Sequence, residues 1–318
     1  MIGSYEEAVA SLKAARNAAV ITHVNPDADA IGSAVATAMM LERLGASATM
    51  LVGQAGPVPE NLATIPRGGE VRCTDTLPDD CDLVILVDCG AVDRAGLLTE
   101  QVRSFGNVLC IDHHASNDGF GTSNLVDIAE STTTILYTLC EMLGIAVDRD
   151  LAHAIYAGLM TDTGSFRWGR PQMHELAATL LETGIDSKQI AVDLLDGTTV
   201  NDLIMTGRVL SGIQVRQVGN HSAAILLADF ETTQGCTDTA VETLVDYVRA
   251  LEGTDVGAVF KERAITKWSV SLRSGSMDVS RLAGVLGGGG HIPAAGYTTT
   301  GPREAVVLEF LHALENYQ

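Results

Sequence analysis

Three short apolar runs in the first half of the chain each end in acids or imidazoles. Residues 18–23 (AAVITH) lead into His23-Val24-Asn25-Pro26-Asp27-Ala28-Asp29, residues 83–87 (LVILV) into Asp88-Cys89-Gly90, and residues 108–111 (VLCI) into Asp112-His113-His114. Runs this short and this apolar are the mark of buried parallel strands, whose two faces are both covered. A further strand fits 47–52. Between them lie stretches of helical length: 31–44, stopping at Gly45; a segment from a Ser131 cap to Gly144; and 149–160. Strands alternating with helices predict a parallel α/β sheet with helices on both faces. Ligands of such sheets bind outside the carboxyl ends of the strands, so the three clusters should converge. A fourth acid, Asp162, lies within GLMTDTGSF.

Each residue taken alone has an ordinary structural use. Asp27 or Asp29 could cap the helix that follows, and Asp88 could close a turn with Gly90. The joint pattern is harder to explain that way. Carboxylates crowded at one sheet edge repel one another unless cations neutralise them. Four aspartates and two histidines make a hard oxygen/nitrogen donor set, which favours Mn²⁺, with Mg²⁺ or Co²⁺ as substitutes, over a thiolate zinc site. Asp27 and Asp29, two apart in a loop, can address two neighbouring ions, and Asp88 is the natural shared acid. Paired metals of this kind are the usual machinery for displacement at phosphorus.

The second half changes character. Helical segments at 172–183 and 186–215 are followed by a hairpin signal, Gly219-Asn220, between apolar runs at 213–218 and 222–228. A helix at 239–251, strands at 256–260 and 268–272, a short helix, the run Gly287–Gly290 and a closing helix complete a smaller α+β unit. The expected division is a metal-binding domain at 1–186, a helical linker at 187–212 and a second domain at 213–318. Gly288, Gly289 and Gly290, followed by His291, could bring backbone N–H groups close to an anion. Arg273-Ser274 ends the 268–272 strand.

HVNPDADAIGS, VDCG, IDHHASN and GLMTDTGSF resemble the four motifs of the DHH phosphoesterases, and LGGGGHIPAAG resembles the signature of their DHH-associated C-terminal domain. The motifs stand in the family's order and span nearly the whole chain. The compact length is most similar to the nano-RNase and 3′-phosphoadenosine-5′-phosphate (pAp) phosphatase branch, whose actinobacterial members also cleave cyclic di-AMP. The resemblance implies that His23, Asp27 and Asp88 hold one Mn²⁺, and that Asp29, Asp88, His113 and Asp162 hold another. It makes His114 a positioning group or proton donor at the scissile phosphate, with Asp112 orienting an imidazole. It gives Arg273, Ser274, the glycine run and His291 to substrate binding, and implies a cleft between the two domains.

Charge agrees with small substrates. The 40 acidic residues outnumber the 20 basic ones, for a net charge of −20. Such a surface repels a long phosphodiester backbone, whose binding depends on Lys and Arg. The start of the sequence carries Glu6 and Glu7 and no basic stretch, so no signal peptide is expected. No run of about 18 apolar residues is present, so no membrane span is expected. Six scattered cysteines without a CxxC pair read as free thiols. The expectation is a cytoplasmic Mn²⁺-dependent phosphodiesterase acting on short oligoribonucleotides or cyclic dinucleotides, and compatible with a homodimer. Its rivals are a bisphosphate nucleotidase acting on pAp, and a sensor that binds nucleotide without hydrolysing it.

Overall fold

The computed structural model describes residues 1–249 and 251–317, which fall into two compact units divided between Asp196 and Gly197. The first unit begins β1 (Ile2–Gly3), α1 (Tyr5–Ala14), β2 (Asn17–Thr22), α2 (Ala28–Arg43), β3 (Ser47–Val52) and β4 (Arg72–Cys73). It continues β5 (Leu83–Val87), α3 (Thr99–Ser104), β6 (Val108–Asp112), β7 (Ser123–Val126), α4 (Thr132–Leu143), α5 (Arg149–Asp162), α6 (Gln172–Leu181) and α7 (Ser187–Leu195). The strand order is β1-β7-β6-β5-β2-β3-β4, parallel except for the antiparallel edge pair β1/β7. Strand order reverses between β2 and β5, which places the ends of those strands at a topological switch point.

The three acid-bearing strands predicted from sequence are β2, β5 and β6, and they are neighbours. Both faces of the sheet are covered, but unequally. Ala18, Val20, Met50, Ile85 and Leu109 pack on α1, α2, α4 and α5. On the other face Ile21, Leu51, Val84 and Leu86 meet Val102 of α3 with Ala95 and Leu98 of a 3-10 turn at 92–98. Helix α2 is buried without a break from Ala28 to Leu41. It starts three residues before the predicted 31, because Asp27 caps it by accepting from Ala30 N at 3.0 Å. At Gly32 a Cβ would lie 2.4 Å from the carbonyl oxygen of Ala154, so this glycine lets α2 lie directly on α5.

The second unit comprises α8 (Val200–Ser211), β8 (Gln214–Val218), β9 (His221–Ala228), α9 (Phe230–Thr233), α10 (Asp238–Arg249) and β10 (Val256–Ala264). Then follow β11 (Lys267–Arg273), α11 (Val279–Val285), β12 (Gly289–His291), β13 (Ala294–Thr300) and α12 (Arg303–Glu315). The sheet order is β12-β13-β11-β10-β9-β8, antiparallel except for β9/β10, which α10 connects. Met205 and Val209 of α8 and Leu244 and Val245 of α10 pack on one face, and Leu282 of α11 and Phe310 of α12 on the other.

The helical stretch expected at 186–215 is interrupted. Thr199 and Asp202 form a capping box that starts α8 afresh, and β8 already begins at Gln214. Of the segment expected as a linker, 187–212, α7 belongs to the first unit and α8 to the second. All six cysteines are free, and among the described residues no helix is long and apolar enough to cross a membrane.

Candidate metal centre

His23 follows directly on β2 and turns its Nε2 toward two carboxylates, Asp27 Oδ2 at 3.7 Å and Asp88 Oδ2 at 3.5 Å. His113, directly after β6, holds its Nε2 3.5 Å from the other Asp88 oxygen, Oδ1. The same nitrogen lies 3.2 Å from Asp162 Oδ2 and 4.0 Å from Asp29 Oδ2. Two donor groups result, His23/Asp27/Asp88 and Asp29/His113/Asp162, each with its ligand atoms within 4.8 Å of one another. Asp88 offers one oxygen to each side.

Local structure explains how each group is aimed. Asp88 takes a left-handed backbone, φ 58°, at the turn that ends β5, a conformation uncommon outside glycine and concentrated at functional sites. Thr132 Oγ1 donates to Asp88 Oδ1 at 3.0 Å. Asp29 is fully buried, and the start of α4 receives it. Its oxygens accept from Thr132 N at 2.7 Å, Thr133 N at 3.1 Å and Thr133 Oγ1 at 2.8 Å. A helix N-terminus supplies unpaired N–H groups and a favourable dipole for such an anion. Asp27 caps α2 with Oδ1 while Oδ2 faces His23.

The imidazoles are fixed from behind. His113 Nδ1 lies 3.2 Å from the carbonyl oxygen of Ala129, so a proton there leaves the Nε2 lone pair facing the acids. His114 Nδ1 lies 2.8 Å from Asp112 Oδ1, and Asp112 Oδ2 accepts from Asn117 Nδ2 at 2.7 Å. Asn117 also donates to the carbonyl oxygen of Cys89 at 3.1 Å, joining the loops after β5 and β6.

The charge balance calls for cations. Burial, then the charges of Asp88 and Asp162, push the Asp29 carboxyl far above its ordinary value. Burial and the neighbouring Asp27 and Asp88 raise Asp162 to about 6, even against the pull of His113. Burial alone would push the His23 ring down, but Asp27 and Asp88 outweigh it and hold it up to about 10. Burial opposes ionisation of Asp88 as well, and hydrogen bonding to His23 overcomes it and lowers that carboxyl. Acids buried together can all ionise only beside positive charge, and hard oxygen and imidazole donors in two adjoining groups suit a pair of divalent ions.

The residues expected to bind substrate fare differently. Arg273 ends β11, half-buried, with Nη1 donating to the Leu272 carbonyl at 3.0 Å. Ser274 is buried, and its hydroxyl is used inside the turn: it donates to Asp255 O at 2.6 Å and accepts from Ser276 N and Met277 N. It shapes the turn after Arg273, with its hydroxyl engaged inside that turn. The glycine run is partly a strand, β12, paired with β13. Gly288 and Gly290 are needed for packing, since a Cβ would lie 2.1 Å from Gly296 O and 2.6 Å from Ala295 Cα respectively. Gly289 faces open space. In the first unit, Trp168 Nε1 braces the carbonyl of Asp162 at 2.9 Å and the Arg167 guanidinium lies 5.2 Å from the Trp168 ring.

Thr132, Thr133, Asn117 and Gly158 escaped the sequence reading as site residues. Asn117 and Gly158 lie inside motifs already singled out, and Thr132 and Thr133 follow the Ser131 cap. Nothing local says that these threonines reach Asp29, about a hundred residues away.

Residues 17–159 match the family model described as the DHH family, N-terminal domain, and residues 222–318 match the DHHA1 domain. The chain is 32% identical over 287 residues to the bifunctional oligoribonuclease and PAP phosphatase NrnA of Thermus thermophilus, covering 89% of this chain and 84% of that protein. The protein of the same name from Bacillus subtilis is 26% identical over 281 residues, 86% of each chain. Among solved structures, an exopolyphosphatase-related protein from Bacteroides fragilis shares the fold, with a TM-score of 0.85 and 24% identity over 98% of this chain and 96% of that one.

Proposed function

The chain belongs to the DHH family, and from that premise we propose a phosphodiesterase that uses two divalent ions, Mn²⁺ foremost, to cleave short or cyclic nucleotides into 5′-nucleoside monophosphates. It is a hydrolase of phosphodiester bonds. The names of the Thermus and Bacillus relatives support oligoribonucleotides and pAp as substrates, and diadenylate and cyclic di-AMP extend the same chemistry. The observation that carries the reading is Asp88, whose two oxygens each lie 3.5 Å from a different imidazole.

His23, Asp27 and Asp88 would hold one ion, and Asp29, Asp88, His113 and Asp162 the other. Such a pair, when bound, polarises the phosphoryl oxygens and makes water a stronger nucleophile near neutral pH. Asp112 holds the His114 ring through Nδ1, so that its Nε2 can position the phosphate or return a proton to the leaving oxygen. Thr132 keeps Asp88 from rotating out of its shared position. In the second unit, Arg273 offers a planar fork for a phosphate, and Gly289 and His291 are its partners in nucleotide binding.

The test is product chromatography after incubating the protein with Mn²⁺ and an equimolar mixture of cyclic di-AMP, diadenylate, a longer nano-RNA and pAp, with an EDTA control. Metal-dependent release of AMP is expected, and Asp88→Asn should nearly abolish it. Wild-type turnover in that variant would refute the shared role of Asp88. Tight nucleotide binding without turnover under any divalent metal would replace the enzyme by a sensor.

A further inference from the structure

Arg94 sits in the 92–98 turn and reaches the imidazole at the edge of the cluster, with Nη2 2.9 Å from His23 Nδ1. The same ring nitrogen lies 2.9 Å from the carbonyl oxygen of Val24. These two contacts exclude each other. A nitrogen bearing a proton can donate to Val24 O, whereas only one bearing a lone pair can accept from a guanidinium. His23 turns Nε2 toward Asp27 and Asp88, and an imidazole that offers its Nε2 lone pair to a cation keeps its proton on Nδ1. In that state Val24 O takes the proton, and the ring has no acceptor left for Arg94.

The arginine is otherwise uncommitted. Its guanidinium carries five donors, and among the described residues its side chain pairs with no carboxylate. Its backbone, by contrast, is clamped. The Arg94 carbonyl accepts from Val24 N at 2.9 Å, and Leu97 N donates to Gly53 O at 2.7 Å. Gly96, at φ 61°, lies so close to the chain after β3 that a Cβ would stand 2.3 Å from Gly53 O. A fixed main chain therefore presents an exposed cation at the rim of a cluster of carboxylates.

We propose that Arg94 is a substrate-positioning residue: its guanidinium, held by a clamped main chain at the rim of the carboxylate cluster, binds a non-bridging phosphate oxygen of the nucleotide. This rests on the function proposed above and names a residue that the four motifs do not assign. The planar fork suits a phosphate, which also supplies the negative charge that the imidazole lacks. The opposite possibility is a brace: a partner that holds a ligand in place weakens metal binding roughly 10–100-fold when removed.

The two roles differ in sign and are separable with the full chain. Mn²⁺ affinity is measured by titration calorimetry without nucleotide for wild type, R94Q and R94K, and KM and kcat are measured with diadenylate. Positioning predicts that R94Q binds Mn²⁺ within roughly threefold of wild type or more tightly, while KM rises about 10–100-fold and R94K recovers part of the loss. Metal binding at the wild-type level also reports that the R94Q site is folded. A fall in Mn²⁺ affinity of about tenfold or more, as a brace predicts, or an unchanged KM, overturns the proposal. Failure of the wild type to hydrolyse any substrate in the four-component mixture is a different result, because it removes the underlying function as well.

Discussion

Asp29 has no water to fall back on. It is fully buried beside three other acids, Asp27, Asp88 and Asp162, and among the described residues the α4 N-terminus and Thr133 Oγ1 hold its oxygens. The space it occupies exists because residue 158 on α5 is glycine. A Cβ there would lie 2.2 Å from Asp29 Oδ1 and 2.5 Å from Thr133 Oγ1, and both atoms are tied by the hydrogen bonds just named. Two effects of Gly158→Ala therefore oppose each other. Helix propensity favours alanine by about 1 kcal/mol, whereas displacing a buried carboxylate from its donors costs about 1–3 kcal/mol or more. The clash should win, so Gly158→Ala is expected to lower both thermal stability and Mn²⁺ affinity. A higher melting temperature with wild-type metal binding would show that Asp29 can move aside freely.

At the scale of elements, Asp202 joins two helices of the second unit. It completes the capping box of α8 by accepting from Thr199 N at 2.8 Å, and it also accepts from Thr237 N, one residue before α10, at 2.8 Å. Burial opposes its ionisation, but these donors outweigh burial and hold the carboxyl below its ordinary 3.8. A depressed native pKa contributes stability that is present above 3.8 and is lost as pH falls through the native value. Asp202→Ala should therefore destabilise the protein by about 1–3 kcal/mol at pH 7. Urea unfolding repeated at pH 3 should show a smaller difference, and an equal difference at both pH values would speak against a charge-dependent tie. Legibility also differs element by element. β2, β5 and β6 were readable because both their faces are buried, and the acids ending them stood out against that background. β1 and β7 were not, because strands of two and four residues with exposed or half-exposed positions carry no apolar run. β12 was hidden because consecutive glycines have no side-chain alternation to read. The Asp29–Thr133 pairing lay beyond any local pattern, being a tertiary contact between separate motifs.

For the molecule as a whole, the carboxylates gathered at the carboxyl edge of the first sheet set the response to chelation. Ions that bind only the folded form stabilise it by mass action, about 2.7 kcal/mol for one site at a hundredfold excess over its Kd. Removing divalent ions with EDTA should lower the melting temperature and restoring Mn²⁺ should raise it again, as scanning fluorimetry would read. An unchanged melting temperature would mean that the cluster holds no ion. The proposed ligands also carry an order in time. His23, Asp88, His113 and Asp162 come from four separate stretches of chain, the last of them at the end of α5. During synthesis, a ribosome must release nearly the whole first unit before any nascent chain can assemble the complete donor set. The growing polypeptide thus gains the proposed donor set only once α5 has docked, while α6 and α7 of the same unit still follow along the chain.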